Sequence, residues 1–122
     1  MVAGAGKCAR RTVEFELEGQ RFIALNGGPH FKFSDGVSLS VNAETQAEID
    51  GYSHKLIAGG GQQRPCGWLT DRFGLSWQVN PSFLGRMLGD KDSVRAARVM
   101  QAMMQMTRIE ISRLKAAWDG PA

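Results

Sequence analysis

Two stretches of this sequence place hydrogen-bonding side chains at every second position. Ser38, Ser40 and Asn42 alternate with Val37, Leu39 and Val41, and Ser76, Gln78 and Asn80 alternate with Leu75, Trp77 and Val79. A period of two sends each polar trio to one face of a strand and its apolar partners to the other. Neutral hydrogen-bonding groups in such a row can line a cleft as readily as they can face bulk water, and the chemistry they offer is recognition. His30 follows the turn-forming run Asn26-Gly27-Gly28-Pro29, in the kind of loop that carries ligand contacts more often than frameworks do. His54 sits two residues past Tyr52 on a predicted helix, pointing away from its apolar stripe and toward solvent. Cys66, close to Trp68, has no acid or base partner in view and reads as a small buried residue. Glu14, Glu16 and Glu18 form the polar side of a strand rather than an acidic site. Gly4, Gly6 and Lys7 lack the spacing of a phosphate loop, since Cys8 stands where a Ser or Thr is needed. No constellation of catalytic residues is identified.

The elements that must position these groups follow from patterning. Val13, Phe15 and Leu17 alternate with the three glutamates, Glu18-Gly19 makes a two-residue turn, and Phe22 to Leu25 returns as the second strand of a hairpin. A second hairpin turns at Asp71 to Gly74, where Gly74 can take a positive φ. Thr45 is a helix N-cap with Glu48 three residues on, Ile49, Tyr52, Leu56 and Ile57 form the helix's apolar stripe, and Gly59 to Gly61 end it. After the strand, Asn80 caps and Pro81 begins a short helical turn reaching Leu88. Asp92 caps a longer helix with a Met-rich face of Val99, Met100, Met103, Met104 and Met106, and Ser112 to Trp118 forms another. Residues 1–11 read as a disordered lead-in.

The chain has 122 residues, 43% of them hydrophobic, with a net charge of +3. That suffices for one small domain with one core. Lys and Arg are scattered rather than clustered, so a nucleic-acid partner is not expected. No apolar run approaches the roughly 20 residues of a membrane span, and the first residues lack a secretory apolar segment, which points to the cytoplasm. Two cysteines do not make a disulfide framework.

The blocks FELEGQRFIALNGGPHFKF (Phe15 to Phe33), VNAETQAEID (Val41 to Asp50), CGWLTDRFGLSWQVNP (Cys66 to Pro81) and RVMQAMMQM (Arg98 to Met106) resemble, in this order, the PhnB-like family, also labelled the 3-demethylubiquinone-9 3-methyltransferase domain. That family lies in the vicinal oxygen chelate superfamily of glyoxalases, bleomycin-resistance proteins and dioxygenases. The resemblance implies an α+β fold of paired βαβββ modules curled into a cup with helices outside. Residues 12–122 would then be a single truncated domain with a helical tail over 81–122. Gly36 to Pro81 supplies one complete module, including a short strand near Gln63 to Pro65, and the other module is present only as the hairpin Thr12 to Asn26. Either the chain is a fragment or has a misassigned start, or a partner chain covers the missing surface.

In this architecture the apolar residues of the strands pack under the helix, and Ser38, Ser40, Asn42, Ser76, Gln78 and Asn80 face the cup. Of these, Ser38, Ser40, Ser76 and Gln78, with Asn26, His30 and Trp68, are the residues expected to bind a small molecule. The superfamily's metal ligands carry over to Gln78, to the region of Gly36 to Ser38 and to about Ala24, and none of these is a carboxylate or imidazole. No metal and no other cofactor are therefore expected. The principal functional expectation is a metal-poor small-molecule binding protein. The alternative is a metal-dependent lyase, isomerase or dioxygenase. The methyltransferase label is not expected to describe the chemistry, since no strand, Gly-rich turn and helix suited to S-adenosylmethionine occurs. The incomplete module and the Met-rich helix predict a homodimer.

Overall fold

The computed structural model describes residues 11–121, so the proposed lead-in and the Gly4 to Lys7 stretch lie outside the described residues, Arg11 excepted. The chain divides into two units, Met1–Lys32 and Phe33–Ala122.

The first unit is a hairpin of β1 (Thr12–Leu17) and β2 (Gln20–Leu25). Glu18 (φ 51°) and Gly19 (φ 79°) make the turn, the pair of positive φ values that matches the strands' own twist. The returning strand begins at Gln20, directly after this turn, so that Leu17 pairs with Gln20 and Phe15 with Phe22. The two Phe rings stack at 5.4 Å, and Arg21 bonds Glu14 at 3.0 Å on the opposite face. The expected alternation survives, but Ile23 and Leu25 add exposed apolar surface to the glutamate side.

In the second unit, β3 (Ser38–Ala43), α1 (Gln46–Ile57), β4 (Gln62–Gln63), β5 (Trp68–Thr70) and β6 (Ser76–Pro81) form a glyoxalase-like βαβββ module. The sheet order is β3-β6-β5-β4, with β3 and β6 parallel and the other pairs antiparallel. A parallel pair needs a crossover, and α1 supplies it. Thr45 Oγ1 accepts from the Glu48 N–H at 3.1 Å and starts that helix, as the sequence pattern requires.

Parity then distributes the side chains. Leu69 and Val79 point to the α1 side and are buried with Ala43 and Ile49, and Trp77 packs against the same core. The α1 stripe runs through Ile49, Ser53, Leu56 and Ile57. Tyr52, expected within it, is 40% exposed, because 49, 53 and 56/57 lie on one line at helical spacing and 52 falls at its edge. His54 is exposed. At the end of α1, a Cβ on Gly61 would lie 2.5 Å from the Thr70 carbonyl oxygen, so the glycines there let the helix exit pass close under β5.

Asn80 and Pro81 do not open a helix. They pair in register with Asn42 and Ala43, and the Ser82 N–H donates to the Ala43 carbonyl. The ladder to β3 therefore carries the strand through Pro81, and α2 (Leu84–Leu88) starts three residues later with no side-chain cap. The short strand expected near Gln63 to Pro65 lies at Gln62–Gln63, and Pro65 begins a 3-10 turn, Pro65–Gly67. Asp92 caps α3 (Ser93–Met104) through the N–H groups of Val94 and Arg95, and α4 spans Ile111–Asp119. The Met-rich face is split. Val99 is buried and Met103 packs on the core, Met100 and Met104 are exposed, and Met106 lies beyond the helix, buried in the core.

The start of α4 is held from a distance. Gln46 Nε2 donates to the Ile109 carbonyl at 2.9 Å, and its Oε1 accepts from the Ile111 N–H at 2.8 Å, which satisfies a helix terminus that has no cap of its own. At the other end, Arg98 donates to the carbonyls of Ala117 and Trp118. Among the described residues no helix is long and apolar enough to cross a membrane.

A pocket on the polar face of the sheet

The even-numbered positions of β3 and β6 share one face. Gln78 Nε2 donates to Ser38 Oγ across the parallel pair at 3.0 Å, and Asn80 Nδ2 reaches Gln78 Oε1 at 3.5 Å. Asn80 Oδ1 is buried and accepts no hydrogen bond from the described residues. Gln78 and Asn80 form one side of a pocket of about 390 Å³ whose lining also includes Asn42 and Trp68 from the sheet, Leu84 and Leu88 from α2, and Met103 from α3. Polar groups thus fix one side and an apolar wall the other, the usual composition of a small-molecule site.

The lower rim is the turn before β5. Cys66 adopts φ 63°, ψ 31°, a left-handed conformation uncommon for a residue with a Cβ. The Cys66 and Gly67 N–H groups donate to the carbonyls of Met106 and Thr107 at 2.9 and 2.7 Å, which ties the turn to the segment after α3. Gly67 (φ +80°) sits where a Cβ would lie 2.7 Å from Asn80 Oδ1 and 2.8 Å from Ile109 Cγ1. Cys66 is therefore half-buried at the pocket rim rather than packed as a small core residue. Its N–H and that of Gly67 each make one long-range hydrogen bond that the sequence does not announce.

Farther along the same face, a second group of side chains surrounds Arg64. Its guanidinium makes a paired contact with Asp35, Nη1 to Oδ1 at 2.9 Å and Nη2 to Oδ2 at 3.0 Å, and Nη1 also reaches Thr70 Oγ1 and Ser76 Oγ at 3.3 Å each. Ser76 Oγ donates to Asp35 Oδ1 at 2.9 Å, and the guanidinium lies over the Trp68 ring at 5.7 Å. The hydrogen bonds from Arg64 and Ser76, with the Arg64 charge, hold the Asp35 carboxyl below the usual aspartate range.

Of the residues expected to bind a ligand, Trp68 and Gln78 line the pocket, and Ser38 is half-buried against Gln78. Ser40 is exposed on the same face. Ser76 is fully buried and engaged with Asp35 and Arg64. Asn26 and His30 belong to the first unit and are exposed there. The expected binding set does not include Asn80, although it stands in the same polar row as Gln78, nor Cys66, the α2 side chains, Arg64 or Asp35. For Asn80 the signal was present, since it shares the parity of Gln78. Arg64 and Asp35 are 29 positions apart and carry no local pattern that joins them.

A divalent metal does not fit around Gln78. The side chains bonded there are a hydroxyl and two amides, with no anionic donor among them, whereas hard cations are held by carboxylates. Among the described residues no group of three His, Cys, Asp or Glu side chains comes together.

Residues 4–80, well over half of the chain, match the family model described as 3-demethylubiquinone-9 3-methyltransferase. The match covers β1 through most of β6 and ends before α2, so the Arg98 to Met106 segment lies outside it. No curated protein matches the chain.

Proposed function

The chain belongs to the 3-demethylubiquinone-9 3-methyltransferase family, and from that premise we propose that it binds a small molecule in the pocket on the polar face of the sheet, without a metal centre. The observation that carries this reading is that Gln78 and Asn80, with Ser38 bonded to Gln78, share the pocket with the apolar side chains of Leu84, Leu88 and Met103. A ligand with one polar edge and one apolar body satisfies both sides.

A metal-dependent lyase, isomerase or dioxygenase lacks its anionic ligands here. S-adenosylmethionine also finds no suitable cradle: the crossover from β3 into α1 runs through Ala43-Glu44-Thr45, without the glycines that let a backbone approach such a cofactor. A fragment screen read by side-chain NMR tests the proposal. Ligands are expected to shift the Trp68 indole and the Gln78 and Asn80 amides together, and to lose that effect when Leu84→Trp fills the pocket. Binders that leave all three groups unmoved would overturn it.

The same proposal includes a homodimer, supported by the exposed Ile23 and Leu25 of the hairpin and the exposed Met100 and Met104 of α3, since apolar surface of this kind is commonly covered by another chain. Light scattering is expected to give twice the chain mass at micromolar concentration, and a stable monomer would refute this part.

A further inference from the structure

We propose that Arg64 anchors a carboxylate on the ligand, and that Asp35 is an internal carboxylate which occupies the anchor until the ligand displaces it. This rests on the pocket being a small-molecule site and names the chemical class that it takes. The planar guanidinium fork is matched by two parallel bonds from a carboxylate, and Asp35 already makes both.

The two partners are unequally held. Arg64 remains positioned without Asp35: its backbone N–H donates to the Trp68 carbonyl at 2.8 Å, its Nη1 touches Thr70 and Ser76, and its side chain is 32% exposed. Asp35 is 69% exposed and sits in a short turn where Ser34 Oγ accepts from the Gly36 N–H. Among the described residues its side-chain hydrogen bonds are with Arg64 and Ser76. Everything Asp35 gives the guanidinium is a pair of carboxylate oxygens, so a ligand carboxylate can replace it bond for bond.

Arg64 is not among the side chains that line the pocket, and Trp68 is what the pocket and the anchor share. Its ring lies under the guanidinium and also lines the cavity. Thr70 and Trp68 are successive residues on one face of β5, as are Ser76 and Gln78 on β6, roughly 7 Å apart along each strand. A flat molecule with its apolar body against Trp68 and α2 therefore brings a terminal carboxylate within reach of Arg64.

The test uses benzoate and its neutral analogue benzamide, titrated into labelled protein while the Trp68 indole resonance is followed. In Asp35→Asn, benzoate is expected to bind about tenfold more tightly than in the original protein, the scale of one charge-assisted contact freed from competition, with benzamide changed by less than about twofold. Adding Arg64→Gln is expected to remove the gain. If that variant does not fold, Arg64→Lys serves in its place, since an ammonium cannot make the paired contact and should retain less than half of the gain. Benzoate unchanged in Asp35→Asn, or benzamide tightened equally, overturns the proposal while leaving the pocket reading standing, because both probes still shift Trp68. If neither probe shifts Trp68 at millimolar concentration, both readings fall.

Discussion

Replacing Gly67 by Ala tests whether the turn before β5 is as tightly built as its geometry implies. Two costs add. Holding a residue with a Cβ at φ +80° costs about 1–2 kcal/mol, of which a few tenths to 1 kcal/mol is returned because alanine restricts the unfolded chain. The new methyl would also lie 2.7 Å from Asn80 Oδ1, 2.8 Å from Ile109 Cγ1 and 3.2 Å from the Val79 carbonyl oxygen. Ile109 is fully buried and the carbonyl belongs to β6, so relief requires a shift of core or strand, typically about 1–3 kcal/mol. The sum is a loss of about 2–4 kcal/mol. Gly74→Ala is the matched control, because its φ is +91° and nothing lies within 4 Å of a Cβ there; it carries the conformational cost alone, about 1 kcal/mol. Urea unfolding followed by tryptophan fluorescence reads both variants. Gly67→Ala no more destabilising than Gly74→Ala would refute the close packing of the turn against Asn80 and Ile109.

Asp71 is nearly buried, and its carboxylate accepts from the Phe73 and Leu75 N–H groups and from Trp77 Nε1 at 2.9 to 3.0 Å. Asp71→Ala strands these donors and is expected to cost about 2–4 kcal/mol, with Asp71→Asn costing less; equal and negligible losses in urea melts would contradict this account of the turn. The lowered Asp35 pKa gives a pH signature. A folded-state pKa below the unfolded one adds stability that is present above the ordinary aspartate range and is lost as pH falls through the lowered folded value. A carboxyl carbon titration by NMR should therefore place the Asp35 midpoint lower in the original protein than in Arg64→Gln, and identical midpoints would show that Arg64 does not set it.

Much of the module is legible in the sequence because its determinants are local. The alternation of Leu39 and Val41 with Ser38 and Ser40, and of Trp77 and Val79 with Gln78, sets which side chains share a face, since the period of a strand leaves no other choice. Thr45 and Glu48, Glu18 and Gly19, and Asp92 mark element ends through bonds and dihedral angles spanning a few residues. What only the tertiary structure decides depends on partners far along the chain. Asn80 and Pro81 have the composition of a helix start, yet pairing with Asn42 and Ala43 keeps them in the sheet. Gln46 looks like an ordinary first-turn residue, but it caps a helix 65 positions away. Arg64 and Asp35 carry no sequence signal of a site, because the contact between them exists only after β3, β5 and β6 have paired and brought the loop before β3 over the sheet's polar face. Local periodicity orients a side chain, whereas the group it meets is chosen by chain closure, which no short window of sequence contains.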